Sequence, residues 1–247
     1  MNGKHSRWKG LLAVAVGVTA LSACSMATLG PARPIDPGET QVVVAPAAMR
    51  VGRGSKPYVG PQLELGGRVG LTDSVDLGAR LWLPLPGYTF DSRIALRKAK
   101  NNHGLDLALQ PGLSYLYVPG GSDNDAPLHI GTVSLPLLIG WNLGGGNQVT
   151  VTPKLVDLIA VDTSTYGQTA QLVTAGATVG FVWQVTRQFA LVPEVGLGWL
   201  VLGSQAGFGT EFGVNGSAAQ LSLGLLFGGH KEPAQTCVPT LEPVSPL

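Results

Sequence analysis

His129, with Asp123, Asp125 and Asp162 on either side of it in sequence, is the grouping whose residue types could do acid–base chemistry. A histidine within hydrogen-bond reach of a carboxylate can take a proton from water or from a hydroxyl. No spacing singles these four out. Asp123 and Asp125 lie in the loop GGSDNDAP, which reads more simply as a solvated turn. As Ca²⁺ ligands these two acids supply few of the roughly six to eight oxygens such an ion takes. A Ser–His hydrolase would need a histidine beside a serine, whereas His103 falls in a turn and His230 in the C-terminal tail. The chain therefore reads as non-enzymatic, with no catalytic, metal-binding or cofactor-binding residue assigned. A second grouping is larger. Glu64, Arg68, Asp76, Arg80, Asp91, Arg93, Arg97 and Asp106 are four acids and four arginines, at even spacings within each segment.

Even spacing means strands. Gln62–Leu83 alternates apolar and polar residues, turns at Thr72-Asp73-Ser74 and alternates again. About ten such segments follow one another from Gln41 to Phe227, with no convincing helical stretch. Alternating connections differ in length. Thr72–Ser74, Asn101-Asn102, Gly144–Asn147 and Thr186–Gln188 are tight and polar, whereas those near 50–61, 119–127, 161–169 and 204–218 are longer and rich in Gly, Ser and Asp. Pro84–Gly87 is the short exception. Charged residues make up 13% of the chain, about half the share of a soluble domain. Mean hydropathy is nevertheless positive, at +0.25. No window reaches the roughly 18 apolar residues of a spanning helix.

These features together predict an all-β fold, an antiparallel up-and-down transmembrane β-barrel of about ten strands with short periplasmic turns and longer outer loops. An even strand count puts both ends of the wall in the periplasm. Aromatic residues on the apolar face sort into two bands. Tyr88, Phe90, Tyr115, Tyr117 and Trp199 fall near the long loops, and Trp141, Phe181, Trp183, Phe189 and Phe227 near the short turns. Turn lengths set Leu71 opposite Val75, Val185 opposite Phe189, Ile94 opposite Leu109 and Leu96 opposite Leu107. The charged set then points inward, with Arg80 opposite Asp91, Arg97 opposite Asp106 and Arg68 diagonal to Asp76. Wet cross-strand pairs of this kind contribute about 0.2–1 kcal/mol each. The other wall offers Thr150, Thr152, Thr174, Gly176, Thr178, Gly180, Gly196, Gly198 and Gly224, with Lys154 and Glu194 charged. Either long arginines cross the lumen and fill the glycine side, or the two walls frame a narrow polar path.

The N-terminus carries a further signature. Lys4, Arg7 and Lys9 precede the apolar run Leu11–Thr19, and Leu21-Ser22-Ala23-Cys24 resembles the lipobox of bacterial lipoproteins. The resemblance implies cleavage before Cys24 and acylation of that residue with a diacylglycerol and an N-acyl (palmitate-type) chain, at about 0.8 kcal/mol per buried CH₂. Ser25 after the cysteine, by the same resemblance, favours the outer membrane of a Gram-negative cell. Residues 1–23 read as a lipoprotein signal peptide, 24–40 as a lipid-anchored linker with Pro31, Pro34 and Pro37, 41–228 as the barrel, and 229–247 as a disordered Pro-rich periplasmic tail holding Cys237. Loss of residues 1–23 takes away three basic residues and no acids, leaving 13 basic against 15 acidic residues, so no basic face for nucleic acid is indicated.

Residues 41–228 resemble bacterial outer-membrane β-barrel proteins, with GLTDSVDLG as a recurrent hairpin and QLSLGLLF, Gln220–Phe227, similar to their C-terminal assembly signal. The tail beyond Phe227 departs from that pattern. The implied partners are outer-membrane lipids and the barrel-assembly and lipoprotein-sorting machinery. The function expected is a structural or small-solute barrel with a charge-balanced lumen. The alternatives are an interaction or adhesion module acting through its outer loops, a rim hydrolase using His129 in the manner of omptin-like proteases, and a soluble lipid-tethered periplasmic barrel with a ligand cavity.

Overall fold

The computed structural model describes residues 26–52, 58–84, 86–100, 103–118, 127–162, 169–206 and 217–228. Asp123, Asp125, Cys24, Cys237 and the C-terminal tail lie outside these residues, as does the side chain of Asp162. The strands are β1 (Thr40–Gly52), β2 (Tyr58–Thr72), β3 (Val75–Leu83), β4 (Gly87–Arg97), β5 (His103–Leu109), β6 (Gly112–Val118), β7 (Leu128–Gly144), β8 (Asn147–Asp162), β9 (Thr169–Thr186), β10 (Phe189–Ala206) and β11 (Ser217–Gly228). Every ladder between them is antiparallel, and β1 closes the sheet on β11 through pairs such as Val43 with Leu226.

The wall has ten positions, not eleven. β5 and β6 lie end to end, and both pair with β4 on one side and β7 on the other. The wall strand over Leu105–Val118 is interrupted because Pro111 has no N–H to donate. The seam is still bonded. The Gln110 N–H donates to the Pro136 carbonyl at 2.9 Å, and the Pro111 carbonyl accepts from the Ser92 N–H at 3.1 Å.

The alternation sorts the two faces opposite to a soluble barrel. Large apolar side chains point outward and are exposed, among them Phe90 (59%), Leu113 (61%), Trp183 (53%) and Leu221 (61%). Inward positions hold buried Glu64, Arg68, Asp76, Asp91, Thr150, Thr152 and Gln220. An apolar outer band that continues round a closed wall is what lipid contact requires. The aromatic bands form at both ends of it. Tyr88 and Tyr115 stack at 5.3 Å between ring centroids, as do Phe189 and Phe227 at 5.2 Å.

Short turns collect on the rim that also carries Thr40 and Gly228. In one of them Gly144, Gly145 and Gly146 have φ of 87°, 60° and 79°, a left-handed run that favours glycine. The predicted registers hold beyond a bulge at two of these turns. Gly70 pairs with Asp76 and Leu191 with Trp183, although Thr72 rather than Leu71 meets Val75, and Thr186 rather than Val185 meets Phe189. At the third turn Ile94 meets Leu109 as expected, but a bulge between Ala95 and Arg97 brings Arg97, not Leu96, opposite Leu107.

The occupied lumen as candidate functional site

The lumen contains the chain's own N-terminal segment. Residues 26–35, expected as part of a linker between the lipid and the first strand, lie within the lumen, with Met26, Ala27, Leu29, Ala32 and Ile35 all buried. Pro31 and Pro34 stop this segment from adding to a sheet as a regular strand. Its remaining backbone groups must find partners elsewhere, because a buried unpaired N–H or C=O is costly.

Wall side chains supply those partners. The N–H groups of Thr28 and Leu29 both donate to the Glu194 carboxylate, at 2.9 Å each. Met26 N–H donates to Gln220 Oε1 at 2.6 Å, Ala32 N–H to Gln148 Oε1 at 2.7 Å, and Ile35 N–H to Asp76 Oδ2 at 3.0 Å. In the other direction Arg80 donates to the Ala27 carbonyl at 3.0 Å, Arg93 to the Arg33 carbonyl at 3.2 Å, and Thr178 to the Met26 carbonyl. At the short-turn rim the segment leaves the lumen through bonds between Gly38 and Gly70 (2.9 Å) and between Gly70 and Glu39 (3.0 Å).

Three glycines of the small-residue side of the wall make room for this segment. A Cβ on Gly196 would stand 2.8 Å from Met26 Cβ, one on Gly198 2.8 Å from Met26 Cε, and one on Gly224 3.2 Å from Leu29 Cδ2. On Gly70 it would meet the Asp36 carbonyl oxygen at 2.1 Å, so only glycine fits. Below these contacts Ala27 and Leu29 pack on Val43, Ala45, Val182, Val192 and Leu226. Leu29 itself has φ of 52°, a left-handed conformation that costs a side-chain-bearing residue about 1–2 kcal/mol. That strain sits at the residue Glu194 grips.

Seven of the eight predicted lumen charges are turned inward, and six of them, all but Asp106, come together. Arg68 binds Asp76 through Nε at 3.1 Å and Asp91 through Nη1 at 2.5 Å. Arg80 lies 3.4 Å from Glu64 and 3.6 Å from Asp91, and Arg93 lies 3.8 Å from Asp76. Arg80 faces Thr89 directly and reaches Asp91 on the diagonal, one step from the predicted pairing. Arg97 is the correction. The bulge before it turns its side chain outward, where it is exposed, and Asp106 bonds instead to Arg33 (3.2 Å), Ala99 N–H (2.7 Å), Asn142 (2.7 Å) and Gln148 (3.1 Å). Arg33 and the bonding roles of Glu194, Gln148 and Gln220 were not read from sequence. The one available signal was the Thr/Gly wall, which has the size and polarity to face a bare backbone.

Little space is left around the segment. A cavity of about 30 Å³ lies between Ala27–Thr28 and the charged wall, and one of about 20 Å³ lies beside Met26. Arg80 Nε, Trp82 Nε1, Asp91 Oδ2 and Gln110 Oε1, all on residues lining the larger one, lack a hydrogen-bond partner among the described residues. Its volume and polar lining suit about two ordered waters. It is a hydration space, not a channel.

His129 faces outward, away from the lumen. Its Nδ1 lies 2.6 Å from the Tyr115 hydroxyl, and its ring packs 5.4 Å from that of Tyr117, within the aromatic band. The arrangement orients a girdle side chain and brings no described acid to the histidine. Among the described residues no group of three His, Cys, Asp or Glu could hold a metal ion.

No protein-family model and no curated protein matches the chain. Among solved structures it is similar to neisserial surface protein A, at 10% identity and TM-score 0.43, covering 77% of this chain and 98% of that one. The outer membrane protease OmpT from Escherichia coli is likewise 10% identical with TM-score 0.43, over 83% of this chain and 100% of that one. The translocator domain of the autotransporter NalP from Neisseria meningitidis is 11% identical with TM-score 0.40, over 90% and 97%.

Proposed function

We propose that this chain is an outer-membrane barrel lipoprotein acylated at Cys24, non-enzymatic, and closed by its own N-terminal segment. It is a structural barrel more than a constitutive small-solute path. One observation carries the reading: residues 26–35 fill the lumen, and the wall side chains meet their backbone groups one by one. A solute path of useful width would require that segment to leave. The charged set then has a structural task, because Asp76, which takes the Ile35 N–H, is itself held by Arg68 and Arg93. The short-turn rim, carrying Thr40 and Gly228, faces the periplasm in this reading. Outer-membrane lipids surround the apolar band, and the assembly and lipoprotein-sorting machinery would deliver the chain.

Planar-bilayer recordings on the purified full chain test the closure, with no conductance steps expected. Steady conductance in the unaltered protein would overturn it. Mass spectrometry of the mature N-terminal peptide tests the acylation at Cys24 independently of the lumen.

A further inference from the structure

The wall meets residues 26–35 chiefly through their backbone. Five N–H groups, those of Met26, Thr28, Leu29, Ala32 and Ile35, donate to Gln220, Glu194, Gln148 and Asp76. Three carbonyl oxygens, those of Met26, Ala27 and Arg33, accept from Thr178, Arg80 and Arg93. Side chains of the segment enter the described bonds at Thr28, on Thr152, and at Arg33, on Asp106 and Ala99. Recognition of this kind reads peptide groups, which every chain carries, more than any one side chain.

Three of the four acceptors are held by the wall itself. Gln220 donates to Glu64 at 3.2 Å, Gln148 to Asp106 at 3.1 Å and to Asn142 at 2.8 Å, and Asp76 accepts from Arg68 at 3.1 Å. These bonds do not involve the segment, so the acceptors are already ordered for whatever backbone lies against them. Glu194 differs. Its described hydrogen bonds both go to the segment, one carboxylate oxygen to each of two consecutive N–H groups. With the segment withdrawn, this buried carboxylate would face the lumen in need of two replacement donors. Room for side chains is set beside it, for Met26 at Gly196 and Gly198 and for Leu29 at Gly224. The resident segment fills this arrangement under strain, since Leu29 is held at φ of 52°.

We propose that the lumen is a binding site for an extended peptide, that residues 26–35 are its resident pseudo-ligand, and that a peptide from another chain takes their place when they are withdrawn. The site presupposes the closure by this segment proposed above. Its ligand carries two consecutive free N–H groups opposite Glu194, and therefore no proline there, with apolar side chains at the positions of Met26 and Leu29. Tethering gives the resident segment an effective concentration on the order of millimolar. A micromolar peptide therefore competes only in a chain whose own segment has been released.

The test uses the full chain, folded in detergent and carrying Leu29→Asp, which sets a carboxylate in an apolar cluster beside Glu194 and expels the segment. Protease access to residues 26–36 with retained heat-modifiable gel mobility identifies the released, folded barrel. Met26→Glu takes its place if Leu29→Asp fails either criterion. The probe is a fluorescein-labelled synthetic peptide with the sequence of residues 26–36, read by anisotropy. Saturable binding to the released chain is the expected result. Binding should be at least about tenfold weaker to the unaltered chain, to the released chain with Glu194→Ala added, and for a peptide methylated on the nitrogens of Thr28 and Leu29. No binding to the released chain would overturn the proposal. Equal binding by the methylated peptide, or to the Glu194→Ala chain, would also overturn it, because the peptide would then be held by its apolar side chains alone. Equal binding to the unaltered chain would place the peptide outside the lumen and overturn it as well. Steady conductance in the unaltered chain would end the closure reading, and the affinity of the released wall for a peptide is measured apart from it.

Discussion

Glu194 accepts the backbone N–H of Leu29 at 2.9 Å, across 165 residues of sequence, at the point where Leu29 adopts φ of 52°. The same carboxylate also takes the Thr28 N–H, so one wall residue holds two consecutive peptide groups of the segment. Hydrogen bonds to a charged group contribute about 1.5–3 kcal/mol each. This grip is large enough to offset the strain in Leu29 and to fix the middle of the segment.

Glu194→Ala should release that middle. The expected loss is about 3 kcal/mol of docking free energy, with both N–H groups left buried and unpaired. Limited proteolysis with mass-spectrometric readout would show cleavage within residues 26–36 where the unaltered chain is protected. Bilayer recordings should show intermittent openings. A segment as protected as before would mean that packing by Leu29 and Met26 holds it instead.

Gly196→Val should give a similar release by a different route. Its side chain would begin 2.8 Å from Met26 Cβ and displace it without removing any charge or hydrogen bond of the wall. Overpacking of this kind costs about 1–3 kcal/mol. Gly131→Ala is the matched control, since nothing lies within 4 Å of a Cβ there. Protection of the segment should fall in the first variant and stay unchanged in the second.

Arg68→Ala and Arg97→Ala should separate cleanly. Arg68 binds Asp76 and Asp91 with its side chain 4% exposed, and removing one partner of a buried network costs about 3–5 kcal/mol. Arg97 is exposed, and its loss should stay within about 0.5 kcal/mol. Urea unfolding in lipid vesicles measures both. Comparable losses would put Arg97 back in the lumen.

Cys24→Ser should abolish palmitate labelling yet leave a heat-modifiable barrel with residues 26–36 still protected from protease. The segment is held by Gln220, Glu194, Gln148 and Asp76, none of which depends on the lipid. Unchanged labelling in this variant would end the acylation proposal.

The wall was legible because a strand's two faces are written in its own residues at a period of two. The alternation in Gln62–Leu83 predicts which side chains face lipid and which face the lumen, and the turn lengths predict the pair Ile94 with Leu109 and, beyond a bulge, the register implied by Leu71 with Val75. Several local events escaped this reading, among them the bulges that displaced the pairs at Val75 and Phe189. Pro111 breaks one wall strand in two, and the bulge before Arg97 reverses a single side chain. A bulge inserts one residue without changing composition, so it leaves no trace in an alternation pattern.

The amino-acid sequence by itself determined a closed antiparallel wall of ten positions, its inner and outer faces, its aromatic bands and most of its inward charges. Only the tertiary structure decided what that set faces. Nothing in Met26–Pro37 has a period, and its prolines read as a tether wherever they stand. Its place in the lumen depends on contacts with residues 41 to 194 positions away, such as Asp76, Gln148, Glu194 and Gln220. The glycines that admit it were visible as a row of small residues. What fills a space lined by small residues is not encoded in the lining, because a missing side chain records room and not its occupant.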